Sequence, residues 1–253
     1  MSVERTDHGM TLEEIRAIQD RYGKGPHLAA DLVVLSACWQ ASGPDLRVLL
    51  IQRGNKPFRG AWALPGGFVD MDEDLETAAR RELQEETGIP DLGAARVEQL
   101  GAFGHPLRDP RSRVVSIVHL AWVPWRTLPA PKAGDDAAAA QFVSLRDGVA
   151  TDEEGTPLAL AFDHELVLAL AWERIGTLTS FSSAPLSLLP EIFTVDQLGA
   201  LYRGLIGPID VAILRDGLER NGWIQAVDAA SWRAISTETH WNSPPFTKPP
   251  HSM

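Results

Sequence analysis

Three glutamates, Glu82, Glu85 and Glu86, stand three and four positions apart in the run from Arg81 to Ile89. On a helix this spacing gathers their carboxylates on one face. Like charges so placed repel by about 0.2–0.5 kcal/mol per pair. A helix that collects them is either an open acidic surface or a holder for a hard cation such as magnesium. Just upstream, Gly66 and Gly67 follow Pro65, where the backbone can bend sharply or come close to a ligand. Leu75, Ala78, Ala79 and Leu83 recur at helical spacing between the two features. Gly88 followed by Pro90 supplies the stop.

A sheet must hold that helix in place. Leu32–Cys38 and Leu46–Gln52 are apolar runs separated by Ser42-Gly43-Pro44-Asp45, which predicts a strand pair. Val97–Phe103, Val114–Val123 and Phe142–Leu145 predict three further strands. Thr11 and Glu14 form a capping box for a short helix to about Tyr22, which packs either on its own domain or on a second subunit. Asp163 is placed to cap a helix from His164 to Ile175, whose Leu166, Val167, Leu168 and Leu170 predict nearly complete burial. The Ser/Thr-rich stretch 176–187 reads as a linker. Beyond it, Thr194 and Gln197 form a second capping box with Phe193 and Leu198 as hydrophobic staple, and Asp210 caps a helix to Arg220. Trp223-Ile224 and Trp232–Thr237 predict a small β-wing, so the end of the chain reads as a winged helix-turn-helix. The expected units are an extension (1–27), a first domain (28–178), a winged unit (188–242) and a proline-rich tail (243–253).

Composition narrows the function classes. The chain has 253 residues, 44% hydrophobic, and its 23 basic and 34 acidic residues leave a net charge of −11. That balance disfavours a general role on nucleic acid or on a membrane surface. Cys38 is the single cysteine, so neither an internal disulfide nor a cysteine-based zinc cluster can form. No apolar stretch approaches the roughly 18 residues of a membrane span, and the polar start is unlike a secretory signal. The cytoplasm is the expected compartment.

The glycine turn and the acidic helix together resemble the Nudix box, Gly-x5-Glu-x7-Arg-Glu-U-x-Glu-Glu-x-Gly-U, where U is bulky and aliphatic. Gly67, Glu73, Arg81, Glu82, Leu83, Glu85, Glu86, Gly88 and Ile89 fill every specified place. A chance match is on the order of one in a million at average residue frequencies. The resemblance implies an α/β/α sandwich around a mixed sheet. It also implies a magnesium-dependent (or manganese-dependent) hydrolase, with Glu82, Glu85, Glu86 and the Gly66 carbonyl as metal ligands. Arg81, Glu73, Gly67 and Gly88 would be structural. The general base is Glu85, Glu86, or a loop carboxylate, Asp135 or Asp136, since Gly134-Asp135-Asp136-Ala137 resembles the ADP-ribose-related branch. A pyrophosphate substrate calls for guanidinium donors and a stacking ring; Arg53, Arg59, Arg108 and Arg111 lie in loops, with Phe103 beside them.

Arg53, Trp62-Ala63-Leu64-Pro65, Asp109-Pro110-Arg111 and Leu160-Ala161-Phe162-Asp163-His164 resemble one Nudix branch that carries a C-terminal winged helix. This branch holds ADP-ribose pyrophosphatase-like enzymes and dimeric transcriptional regulators of NAD metabolism that sense ADP-ribose. The complete box favours a hydrolase cleaving ADP-ribose or a related nucleoside diphosphate conjugate, as a homodimer by resemblance. The alternative is a DNA-binding sensor of the same metabolite. From Glu191 onward five basic residues (Arg203, Arg215, Arg220, Arg233, Lys248) face seven acidic ones (Glu191, Asp196, Asp210, Asp216, Glu219, Asp228, Glu238). DNA binding depends on phosphate neutralisation by Lys and Arg, and this balance weighs against the sensor.

Overall fold

The computed structural model describes residues 10–22, 25–90, 92, 95–134 and 137–235. Asp135, Asp136, Thr237 and the proline-rich tail lie outside the described residues. The helix α1 (Leu12–Tyr22) opens with reciprocal caps: Thr11 N–H donates to Glu14 Oε2 at 2.7 Å, and Glu14 N–H donates to Thr11 Oγ1 at 3.1 Å. The strands β1 (His27–Gln40) and β2 (Gly43–Arg53) form an antiparallel hairpin longer at both ends than the apolar runs alone suggest. Then come β3 (Trp62–Ala63), β4 (Gly66–Phe68), α2 (Leu75–Thr87), β5 (Arg96–Phe103), β6 (Val114–Trp122), β7 (Ala137–Arg146) and β8 (Val149–Thr151). The last of these extends the sheet past the five strands expected from the sequence.

The sheet runs β5-β6-β1-β2-β7-β8, with β3 on β2 and β4 on β1. It is mixed, because β1 pairs β6 in parallel while its pairings with β2 and β4 are antiparallel. Alternation along β1 sends successive side chains to opposite faces. Ala30, Leu32 and Val34 meet Ala78, Ala79 and Leu83 of α2, whereas Val33, Leu35 and Ala37 belong to the core on the other face. That second face is covered by α3 (His164–Phe181) and, beyond it, α4 (Val195–Ile206). The expected α/β/α layering is present.

Three local expectations give way. The stretch 176–187 is not a linker: α3 continues to Phe181 and a buried 3-10 turn spans Ala184–Leu188. Its hydroxyls bond back to carbonyls four residues earlier, as Thr179 Oγ1 does to Ile175 at 2.7 Å and Ser182 Oγ to Leu178 at 2.8 Å, so they do not break the helix. Second, α3 is buried on one face only. Val167, Leu168, Ala171 and Ile175 are inside, while Leu166 (56% exposed) and Leu170 (39% exposed) look outward. Third, Asp163 makes no side-chain cap; its carboxylate is engaged elsewhere, as described below.

The C-terminal unit adds β9 (Phe193–Thr194), α5 (Val211–Arg220), β10 (Ile224–Ala226) and β11 (Ser231–Ala234). Both caps read from the sequence are made: Thr194 and Gln197 bond reciprocally, and Asp210 accepts from Ala212 and Ile213. The order β10-β11-β9 forms the small wing. This unit is not tethered loosely. Leu198, Leu201, Tyr202 and Leu205 join Leu46, Val48 and Trp122 of the main sheet in one core, and Trp39 Nε1 donates to the Leu188 carbonyl at 2.9 Å. Among the described residues, no helix is long and apolar enough to cross a membrane.

Candidate functional site

A cavity of about 910 Å³ opens where α2, the glycine turn, the end of β2 and the residues before α3 converge. That volume suits a small organic ligand. Gly66 is needed because backbone atoms leave no room for a side chain, whereas Gly67 faces only the Glu82 side chain. A Cβ on Gly66 would lie 2.6 Å from the Ala30 carbonyl oxygen, and one on Gly67 would overlap the Glu82 carboxylate. Gly88 ends α2 in the left-handed conformation (φ 67°), and its N–H donates to the Gln84 carbonyl.

Arg81 organises the acidic face. Its Nε and Nη2 donate to Glu73 at 3.0 and 2.7 Å, and Nη2 also reaches the Phe68 carbonyl at 3.0 Å. Its Nη1 bridges Glu82 (2.9 Å) and Glu85 (3.1 Å). Glu86 turns inward and accepts from the Gly66 N–H at 2.9 Å. Burial pushes the Glu86 pKa up to about 8 and raises that of Glu82 as well. Among the described residues no three carboxylate or histidine groups converge tightly enough to hold a metal as they stand. The donor set nevertheless fits a hard divalent cation: the Glu82, Glu85 and Glu86 carboxylates all line the cavity beside the glycine turn.

The opposite wall is cationic and aromatic. Arg53 and Arg111 line the cavity with Asn55, Phe68 and Phe162. Arg111 is held by Asp109 at 3.0 and 2.7 Å. Arg108 also lines the cavity but is buried. Its guanidinium makes three hydrogen bonds to Asp163 at 2.7–3.2 Å, and Asp31 stands 3.6 Å away. Burial alone would lower its pKa, and these carboxylates outweigh that. Arg108 is thus committed to Asp163 rather than presented to a ligand. Arg59 is exposed and, like Phe103, lies outside this cavity; Phe103 borders a separate groove against α3. Asp135 and Asp136 lie outside the described residues; Gly134, which is described, donates its N–H to the Glu86 carbonyl at 3.2 Å.

Several cavity residues were not singled out from the sequence. Asp31 sits beneath Gly66 and accepts from Ser116 Oγ. Phe162 projects into the cavity, and Ala17 and Ile18 of α1 form part of its wall. The helix α1 therefore packs on its own domain, with Glu14 joined to Lys56 at 3.0 Å. Phe162 entered the sequence reading only within Leu160–His164, a run that resembles one branch of the family, with no role in the cavity.

His164 Nδ1 accepts from the Leu64 N–H at 3.0 Å, so Nε2 carries the proton and faces Asp31 at 3.8 Å. Burial lowers its pKa from 6.5. Above pH 6.5 both the folded and unfolded histidines are neutral. Below it the unfolded chain takes up the proton first, so stability falls until the lowered folded pKa is passed. His164→Asn keeps an acceptor for Leu64 but does not titrate. Relative to that variant, the wild type is expected to lose stability as pH drops from 6.5 towards 5, measured by urea unfolding. Parallel pH profiles would contradict this.

Comparison with known proteins agrees with the site. A NUDIX domain profile matches residues 31–161. The ADPR responsive transcriptional repressor NtrR of Acinetobacter baylyi is 32% identical over 194 residues, covering 76% of this chain and 73% of that protein. An ADP-ribose pyrophosphatase of Methanocaldococcus jannaschii is 45% identical over 125 residues, 49% of this chain and 64% of the other. Among solved structures, Shewanella oneidensis NrtR complexed with a 27mer DNA aligns at TM-score 0.65 and 27% identity, covering 83% of this chain and 94% of that one. A MutT/nudix family protein from Enterococcus faecalis aligns at TM-score 0.70 and 28% identity over 89% and 94% of the two chains. The profile match runs through the sheet, the glycine turn and the acidic helix alike, and on that ground the chain belongs to the NUDIX family.

Proposed function

We propose that this chain is a DNA-binding regulator that reads ADP-ribose, or a closely related nucleoside diphosphate conjugate, in the cavity above α2. One observation carries the reading: the likeness to a protein solved on DNA spans both units, over 83% of the chain. A relative named as an ADPR responsive repressor is similar over 76% of it. The enzyme relative covers only 49%. The comparisons thus favour the sensor over the hydrolase that the complete box suggests. Arg53 and Arg111 are the residues assigned to the diphosphate, and α5 with the wing to DNA. In α5, Arg215 is paired with Asp216 at 2.6 Å, so one unit offers DNA little net charge. A homodimer, doubling the contact surface on a two-fold site, suits that weakness.

A second reading rests on the box. Glu82, Glu85 and Glu86, with the Gly66 carbonyl, would hold magnesium or manganese, whose chemistry when bound is to neutralise the pyrophosphate and activate water for attack. Within that reading Arg81 keeps the glutamates oriented, and Glu85, Glu86 or Asp136 accepts the proton. A gel shift on the chain's own upstream DNA at low salt, with and without ADP-ribose, tests the first reading; absence of any shift would remove it. Release of AMP and ribose 5-phosphate from ADP-ribose and magnesium tests the second.

A further inference from the structure

Phe162 holds a backbone conformation that L side chains other than Asn and Asp seldom adopt, at φ 56°. Its neighbours keep it there. Ala161 is fully buried, and its N–H donates to the Trp62 carbonyl at 2.7 Å. Asp163 is fixed on Arg108, and His164 on the Leu64 N–H. With both flanks pinned, the ring is directed into the cavity it lines. Strain kept at a cavity wall is the usual mark of a functional residue.

The ring meets two cations. Arg53 Cζ lies 4.8 Å from its centroid and Arg111 Cζ 5.8 Å. Arg111 is also 5.1 Å from the Phe68 centroid, and Phe58 packs edge-on against Phe162 at 4.8 Å. Rings and guanidiniums therefore alternate along one wall, Phe68, Arg111, Phe162, Arg53, drawn from four separate parts of the chain. A guanidinium resting on an aromatic face has lost rotamer freedom beforehand, and here Asp109 also holds Arg111 through Nε and Nη2 while the Pro57 carbonyl accepts from Arg53 Nε at 2.8 Å.

We propose that Phe162 determines specificity for a diphosphate: its ring, between the Pro57 carbonyl that holds Arg53 and the Asp109 carboxylate that holds Arg111, sets the spacing of the two arginines, and this pair selects two linked phosphates over one. The inference rests on the ligand class given above. A single phosphate needs only one fork, so loss of the ring disturbs a diphosphate ligand more than a monophosphate.

The test is calorimetric titration of the full chain, free of divalent cations so that no ligand is consumed, with ADP-ribose and with AMP. Phe162→Asn keeps the left-handed backbone without the ring. Phe162→Leu keeps an apolar side chain without the π face, and Phe162→Tyr keeps the ring. The Asn and Leu variants are expected to lose roughly tenfold or more in ADP-ribose affinity, with AMP binding much less affected and the Tyr variant like the wild type. Unchanged ADP-ribose affinity in either ring-free variant would overturn the inference, as would equal losses for both ligands. A wild-type chain that binds ADP-ribose while these variants do so equally well refutes this inference alone. A wild-type chain that binds no ADP-ribose refutes the functional reading and this inference with it.

Discussion

Asp163→Ala is expected to lower the unfolding free energy by about 3–5 kcal/mol, the usual cost of stripping one partner from a buried ion pair. The Arg108 side chain is 4% exposed and Asp163 accepts all three of its short hydrogen bonds. The other carboxylate within reach, Asp31, is 3.6 Å away and already accepts from Ser116. The variant therefore leaves a guanidinium in a dry site with a distant counter-charge. For a domain of ordinary stability, about 5–15 kcal/mol, that is a large fraction. Urea unfolding measures it directly. A loss below about 1 kcal/mol, the range of an exposed pair, would show that Arg108 is solvated and its pairing incidental.

Glu85→Gln is expected to abolish metal-dependent turnover of ADP-ribose, by roughly a hundredfold or more if the box hydrolyses. It should leave the effect of ADP-ribose on DNA binding largely intact. Glu85 is the most exposed of the three glutamates assigned to metal, with a side chain 44% exposed and one bridge to Arg81 at 3.1 Å. Gln is nearly isosteric there, so stability should change by no more than about 0.5 kcal/mol. The variant thus separates the chemistry of the site from its recognition. Equal turnover by wild type and Glu85→Gln would remove the catalytic assignment, and loss of the ADP-ribose response without loss of DNA binding would tie the box to signalling.

What could be read from the sequence was local or periodic. Both capping boxes, the box helix with its Gly88 stop and the five main strand runs follow from side-chain alternation and cap chemistry within a few residues. The stretch 176–187 misleads because Ser and Thr suit a loop as well as a helix in which their hydroxyls bond back to earlier carbonyls. Leu166 and Leu170 suggest burial because composition does not reveal which side of α3 faces the sheet. The site was legible where the box specifies it and obscure where it depends on contacts far apart in the chain. Arg108 is separated from Asp163 by 55 positions, and nothing local distinguishes a buried, paired arginine from one offered to phosphate. Asp31, Phe162 and the α1 wall are cavity residues only through the topology. The complete box favours a hydrolase, yet the likeness to regulators over both units favours a sensor, because a site able to grip a diphosphate serves either end.

The central claim is that one ligand cavity and one DNA-binding unit are coupled. Coupling in binding free energy is reciprocal, so whatever factor ADP-ribose imposes on DNA binding, DNA imposes on ADP-ribose binding. The direct measurement is the fluorescence anisotropy of a labelled duplex from the chain's own upstream region, titrated with protein at several fixed ADP-ribose concentrations. The expected result is a DNA Kd that shifts with ADP-ribose and levels off once the cavity is saturated. A DNA Kd that is indifferent to ADP-ribose, in a chain that binds both, would contradict the account.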